Sequence, residues 1–202
     1  MFTARRKKNN CEDVSPESQY KLLFFDALVG YLAGVERLVI DCGIDPNIQD
    51  NYGRTPLHEA ARSGSHEVVK FLLEHGANPN IQDKDGDTPL HIVAIYSLSH
   101  FVAESGYFEV MKLLLEHGAN PNIQDYKHGL TPLHSAVMGC HVDVVRVLLE
   151  YGADPTIRDN KGRIPLDYGS DCEEIIEVLR RRSGGTTVRV TSNPMITLKS
   201  YF

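Results

Sequence analysis

Nine histidines and four cysteines have the widest chemical reach in this chain, and their spacing decides what they can do. A zinc site needs ligands at fixed short intervals, such as His-Glu-x-x-His or Cys-x-x-Cys, and neither interval occurs. Asp83-Lys84-Asp85-Gly86-Asp87 opens like a calcium loop, but its twelfth position, which must supply a bidentate Glu, is Ala94. Cys140 stands beside His141. That pairing suits a thiolate nucleophile only if the thiol pKa is depressed and a substrate site lies next to it. No phosphate loop, Gly-x-Ser-x-Gly or Gly-x-Gly-x-x-Gly is present. The sequence therefore assigns no catalytic residue, no metal ligand and no cofactor.

The histidines mark a repeat instead. Thr-Pro-Leu-His occurs at Thr55–His58, Thr88–His91 and Thr131–His134, and a decayed copy stands at Ile164–Asp167. The starts at 55 and 88 are 33 apart, as are those at 131 and 164, while the middle interval is 43. Gly-Ala-Asn-Pro-Asn-Ile-Gln-Asp stands at Gly76–Asp83 and again at Gly118–Asp125, with variants at Gly43–Asp50 and Gly152–Asp159. A fixed period of this length is the mark of a solenoid, whose function lies on its surface. In this phase Cys140 replaces an inter-helix glycine (compare Gly64 and Gly106), so a substituted turn residue is a simpler account of it than a nucleophile.

The chemistry of one period supports helical hairpins. Asp50-Asn-Tyr-Gly53 has turn composition. Thr55 suits an N-cap, and Pro56 at the first helical position loses no useful N–H. Leu57, Ala60 and Ala61 give a short helix with a small-residue face, and Gly64 ends it. His66–His75 carries an apolar stripe of Val68, Val69, Leu72 and Leu73, and Gly76 suits a helix C′ position.

These motifs resemble the ankyrin repeat family over roughly Gln19 to Arg182. The resemblance implies an all-α solenoid of about five helix-turn-helix units joined by β-hairpin-like loops. It also implies that the motif histidines, His58, His91 and His134, bond backbone groups that link adjacent units. The phase divides the repeat domain, 19–183, into units of about 19–49, 50–82, 83–124, 125–158 and 159–183. The first and last depart from the motif, as terminal units with solvent-tolerant outer faces should. In the last unit the first helix is degenerate and about two residues short. Nine extra residues enter unit three within Tyr96–Ser105. Their apolar letters predict added helix that leaves the hairpins in line.

Residues 1–18, with Arg5-Arg6-Lys7-Lys8, read as a solvated disordered leader, and 184–202 as a C-terminal tail. The basic run is also compatible with a nuclear-localisation or anionic-surface signal. The chain is acidic overall, with net charge −6, and holds no apolar run long enough to span a membrane. Cys11, Cys42, Cys140 and Cys172 show no paired spacing, so reduced thiols in an intracellular, cytoplasmic setting are expected.

Family resemblance places partner docking on the hairpin tips and inner helix face. The matching positions are Asn51, Tyr52, Arg54 and Arg62 in unit two, and Lys84, Asp85, Asp87 and Tyr96 in unit three. In unit four they are Tyr126, Lys127, His128, Leu130 and Met138, and in unit five Lys161 and Arg163. Six are Lys or Arg and two are Asp, whereas the second helices carry Glu67, Glu74, Glu109, Glu116 and Glu150. The expected function is therefore a monomeric protein-binding module, an adaptor, regulator or effector, whose partner offers an acidic patch. The alternative is an anionic ligand or nucleic acid on the basic hairpin face, for which six scattered charges are few.

Overall fold

The computed structural model describes residues 11, 15–96, 106–169 and 172–182. Its helices are α1 (Pro16–Val29), α2 (Leu32–Glu36), α3 (Pro56–Ser63), α4 (His66–Glu74) and α5 (Pro89–Tyr96). They continue with α6 (Gly106–Glu116), α7 (Pro132–Met138), α8 (Val142–Glu150) and α9 (Glu173–Arg182). A π-helical turn, Arg37–Asp41, extends α2, and a 3₁₀ turn, Pro165–Tyr168, stands where the last unit needs its first helix. The described residues contain no strand, so the loops are hairpin turns without a sheet.

First helices stack in one row, α1 on α3 on α5 on α7 on the 3₁₀ turn. Second helices lie behind them, with α2 on α4, α4 on α6 and α8 on α9. One apolar core runs between the rows. Leu57, Leu90 and Leu133 from the motif and Leu72, Leu114 and Leu148 from the second helices are fully buried.

The repeated tetrapeptide makes both the helix start and the joint. Thr55 is extended at the N-cap, and the Nδ1 atom of His58 accepts the Thr55 N–H at 3.0 Å and lies 2.9 Å from its hydroxyl. His91 repeats this with Thr88, and His134 with Thr131. With Nδ1 accepting, the proton sits on Nε2, which donates to a carbonyl of the next unit. His58 reaches Asp87 at 3.1 Å, His91 reaches Leu130 at 3.1 Å and His134 reaches Arg163 at 3.3 Å. The role that family resemblance gave these histidines is the one they play.

Two further ladders fix the register. Asn47 donates to the Gly76 carbonyl and accepts the Asn78 N–H; Asn80 does the same with Gly118 and Asn120, and Asn122 with Gly152 and Asp154. At the tips, Lys84 N–H donates to Tyr52, Tyr126 N–H to Asp85 and Asn160 N–H to His128. The packing is close enough that a Cβ on Gly86, whose φ is +88°, would fall on the Tyr126 amide. The second rung of each ladder crosses unit three, so its hairpins stay in line despite the longer period. Residues 97–105, on which the expectation of added helix falls, lie outside the described residues, as do the two tails beyond 11 and 182.

At the N-terminal end the structure departs from expectation. Helix α1 begins at Pro16, where Ser15 caps it by accepting the Ser18 N–H, so order starts before the boundary drawn at 19. Thirteen positions separate Gly30 from Gly43, against twelve from Gly64 to Gly76. The π turn absorbs the extra residue, as single-turn π insertions do.

Candidate protein-interaction face

Each hairpin tip is organised by an aspartate. Asp50 Oδ1 accepts the N–H groups of Tyr52 and Arg54, at 2.8 and 3.0 Å. Asp83 does so for Asp85 and Asp87, Asp125 for His128 and Gly129, and Asp159 for Lys161 and Arg163. These side-chain turns account for Asp83 in the loop that looked like a calcium site.

Two of these aspartates also neutralise an arginine of their own turn. Arg54 donates to Asp50 through Nε and a terminal nitrogen and pairs with Glu59 at 2.9 Å. Arg62 also pairs with Glu59, which is buried. Arg163 grips Asp159 in the same two-pronged way and lies over the Tyr168 ring. Burial pushes the Asp159 carboxyl up, but the Tyr168 hydroxyl and Arg163 outweigh it and hold the pKa at about 2. Asp50 is lowered for like reasons: burial opposes ionisation, while hydrogen bonds from Arg54 and Tyr52 favour it. Unit three breaks the pattern. Asp87 occupies the position of Arg54, so Asp83 faces a second carboxyl. Burial first, then Asp83, Asp125 and Asp85, push the Asp87 pKa up to about 7.

The motif histidines are pushed the other way. Burial lowers the pKa of His58 and His134 and brings His91 to about 4, so all three stay neutral as their hydrogen bonds require.

A family model described as "Ankyrin repeats (3 copies)" matches residues 23–125 and 99–191. The chain belongs to the ankyrin repeat family. Ankyrin repeats generally mediate protein–protein interaction, and the family is typically non-enzymatic. No curated protein matches the chain.

On this ankyrin array the sequence-derived positions separate by accessibility. Asn51, Tyr52, Lys84, Asp85, Tyr126, Lys127 and Lys161 are exposed at the tips, with Tyr52 and Tyr126 66% and 65% exposed. Arg54, Arg62, Asp87, Tyr96, His128, Met138 and Arg163 are half-buried. Leu130 is buried, which removes it from the surface. Its N–H is held by Asp125 and its carbonyl by His91, so it closes the turn from inside. Tyr52, Arg62, Lys84, Asp87, Ile92 and Tyr96 line a groove of about 340 Å³ between units two and three. A second hollow, about 430 Å³, lies between α8 and α9 and is spanned by the Arg146–Glu174 ion pair.

The ankyrin geometry also overturns the expectation of reduced thiols. Cys11 is bonded to Cys42 and Cys140 to Cys172, with Cα atoms 5.7 and 6.0 Å apart. The separations, 31 and 32 residues, are close to one period, and a solenoid sets residues one period apart side by side. That was the missed signal, and it leaves Cys140 no thiolate for catalysis. Among the described residues, Cys140 is the one non-glycine with positive φ, +60°, where the equivalent Gly64 has +70°. No described helix is long and apolar enough to cross a membrane.

Proposed function

We propose that this ankyrin array binds another protein through the tips and inner helix face of units two to five, and does no chemistry of its own. The observation that carries this reading is the pair of tyrosines, Tyr52 and Tyr126, held out at rigid tips. Aromatic side chains on ordered turns supply contact area at small entropic cost. Arg54 lies 4.9 Å from the Tyr52 ring and steadies it, and the Tyr126 hydroxyl bonds Gln82 at 3.1 Å. The remaining recognition residues are Asn51, Lys84, Asp85, Lys127 and Lys161 at the tips, with Asp87, Tyr96, His128 and Met138 behind them.

The charge of this face is mixed. Lys84, Lys127 and Lys161 remain to attract an acidic patch on the partner, whereas Arg54, Arg62 and Arg163 are engaged by the array's own carboxylates. That internal pairing also weakens the case for nucleic acid, whose affinity grows with the number of phosphates neutralised. The reading is tested by capturing a partner from the native cell and measuring its affinity for Tyr52→Ala/Tyr126→Ala. The double variant should bind about 2 kcal/mol more weakly, or worse. Glu67→Lys/Glu109→Lys on the second helices should bind as wild type. The opposite pattern places the site on the other side of the solenoid.

A further inference from the structure

Among the described residues, no helix covers the N-terminal end of the solenoid. Aligning Gly30 with Gly64 sets Leu22, Phe25 and Val29 of α1 against Pro56, Glu59 and Ser63 of α3. In α3 that face meets the preceding unit: Pro56 and Glu59 are buried, and the Ser63 hydroxyl points at the Ala27 carbonyl. In α1 no described helix precedes it; Cys11 alone of the described residues before Ser15 reaches this helix, its carbonyl accepting from the Gln19 side chain. Leu22, Phe25 and Val29 recur at i, i+3 and i+7, forming one stripe, and Phe25 is 57% exposed. Tyr31 and Ile40 of the same unit are 58% and 56% exposed. The opposite side of α1, Leu23 and Ala27, is fully buried, so the helix carries apolar side chains on a covered and an uncovered side, with the Glu17–Lys21 pair between them.

We propose that two copies of this chain associate head to head through this face, α1 against α1, about a two-fold axis. The choice of occupant rests on matching surfaces. The described residues of unit five expose no large apolar side chain, so a head-to-tail contact would set this stripe against a polar end. Among the described residues the stripe itself is the one apolar end, and like-to-like contact closes at two copies. The five residues offer on the order of 500 Å² per copy, taking aromatic side chains at roughly 150–250 Å² each. That exceeds the few hundred Å² of apolar patch usual on a monomer. With a polar rim it approaches the roughly 800 Å² per partner of a standard interface. The leader is a poorer cover. Cys11 is tied to Cys42 at this end, but the residues before it are mostly polar or basic, with four consecutive cations at Arg5–Lys8. A dimer replaces the expectation of a monomer, and it leaves the tyrosine-bearing tips free in both copies.

Sedimentation velocity of the full chain from about 1 to about 100 µM tests this, a range suited to micromolar association. The expected result is a concentration-dependent monomer–dimer equilibrium. Phe25→Glu should raise its dissociation constant roughly tenfold or more, as loss of a central aromatic anchor does. Tyr126→Glu at a distant tip should leave it unchanged. Circular dichroism checks that Phe25→Glu remains folded; if it does not, Val29→Lys reads the same face. A monomer throughout, an open-ended series of larger species, or a dimer indifferent to both variants overturns the proposal. So does a monomer that dimerises only after residues 1–10 are removed, which makes the leader the occupant. A monomer that instead pellets with phosphatidylserine vesicles, and loses this with Phe25→Glu, assigns the face to a membrane surface and equally overturns it.

Discussion

Replacing Asp87 with Asn should stabilise this protein most at alkaline pH and progressively less as the pH falls through mild acid. The carboxyl sits where units two and five place an arginine, and burial together with Asp83, Asp125 and Asp85 raises its pKa to about 7. A carboxylate raised in the fold carries no penalty while protonated. The penalty appears above the unfolded value of about 3.8 and grows until pH passes the folded value. Each pH unit of displacement is worth about 1.36 kcal/mol, which gives an upper bound near 4 kcal/mol above pH 8. Asp87 keeps partial contact with water, so screening reduces this to about 1–2 kcal/mol. Asn has the same shape and no charge. Urea unfolding of wild type and Asp87→Asn at pH 8 and pH 5 measures the difference directly. A gain of about 1–2 kcal/mol at pH 8 that falls to roughly a third of that at pH 5, and vanishes only near about pH 4, is expected. A variant that is less stable at pH 8, or a difference that does not change with pH, refutes the placement of Asp87 among unpaired carboxyls.

Acid should weaken the array through its motif histidines. Their folded pKa values lie below the unfolded value of 6.5, so their stability is complete above 6.5 and is lost as pH falls toward about 4, the value for His91. At pH 5 the loss is about 2 kcal/mol for His91, partly masked by Asp87, so a pH–melting profile should fall more steeply in Asp87→Asn than in wild type. Leu115→Ala should cost about 2–5 kcal/mol in denaturant unfolding, whereas deleting residues 1–10 should cost almost nothing. Breaking the Cys140–Cys172 link should cost up to about 3–4 kcal/mol for a loop of this length. Under reduction, Cys140→Gly should melt higher than Cys140→Ser, because only glycine takes the positive φ freely; equal melting points count against strain at this turn.

Much of the fold was legible because repetition turns one reading into four. Thr-Pro-Leu-His announces its helix starts and Gly64 or Gly76 its helix ends, each by a local mechanism. What stayed hidden was not local. Cys11 and Cys42, or Cys140 and Cys172, look unrelated along the chain and become neighbours only when units stack. Arg54 and Arg163 read as free charges until the turn folds Asp50 and Asp159 onto them four residues away. Leu130 lies in a tip by position, yet its turn is one residue longer than that of unit two and its side chain goes inward. The α1 stripe is hidden for a further reason. Leu22, Leu23, Phe24 and Phe25 run together along the chain, and only the folded helix separates exposed Leu22 and Phe25 from buried Leu23.

The rungs between successive tips are made by main-chain groups: Lys84 to Tyr52, Tyr126 to Asp85, Asn160 to His128. An amide bonds a carbonyl whatever side chain it carries. Spacing and alignment of the tips are therefore indifferent to the letters written there, provided the glycine and aspartate of each turn remain. The scaffold separates inheritance of shape from inheritance of specificity. Mutation can rewrite positions 52, 84, 85, 126 and 127 one at a time without passing through a misfolded intermediate. With the tips as the proposed recognition face, a lineage carrying this chain can exchange one binding partner for another while its architecture stands still.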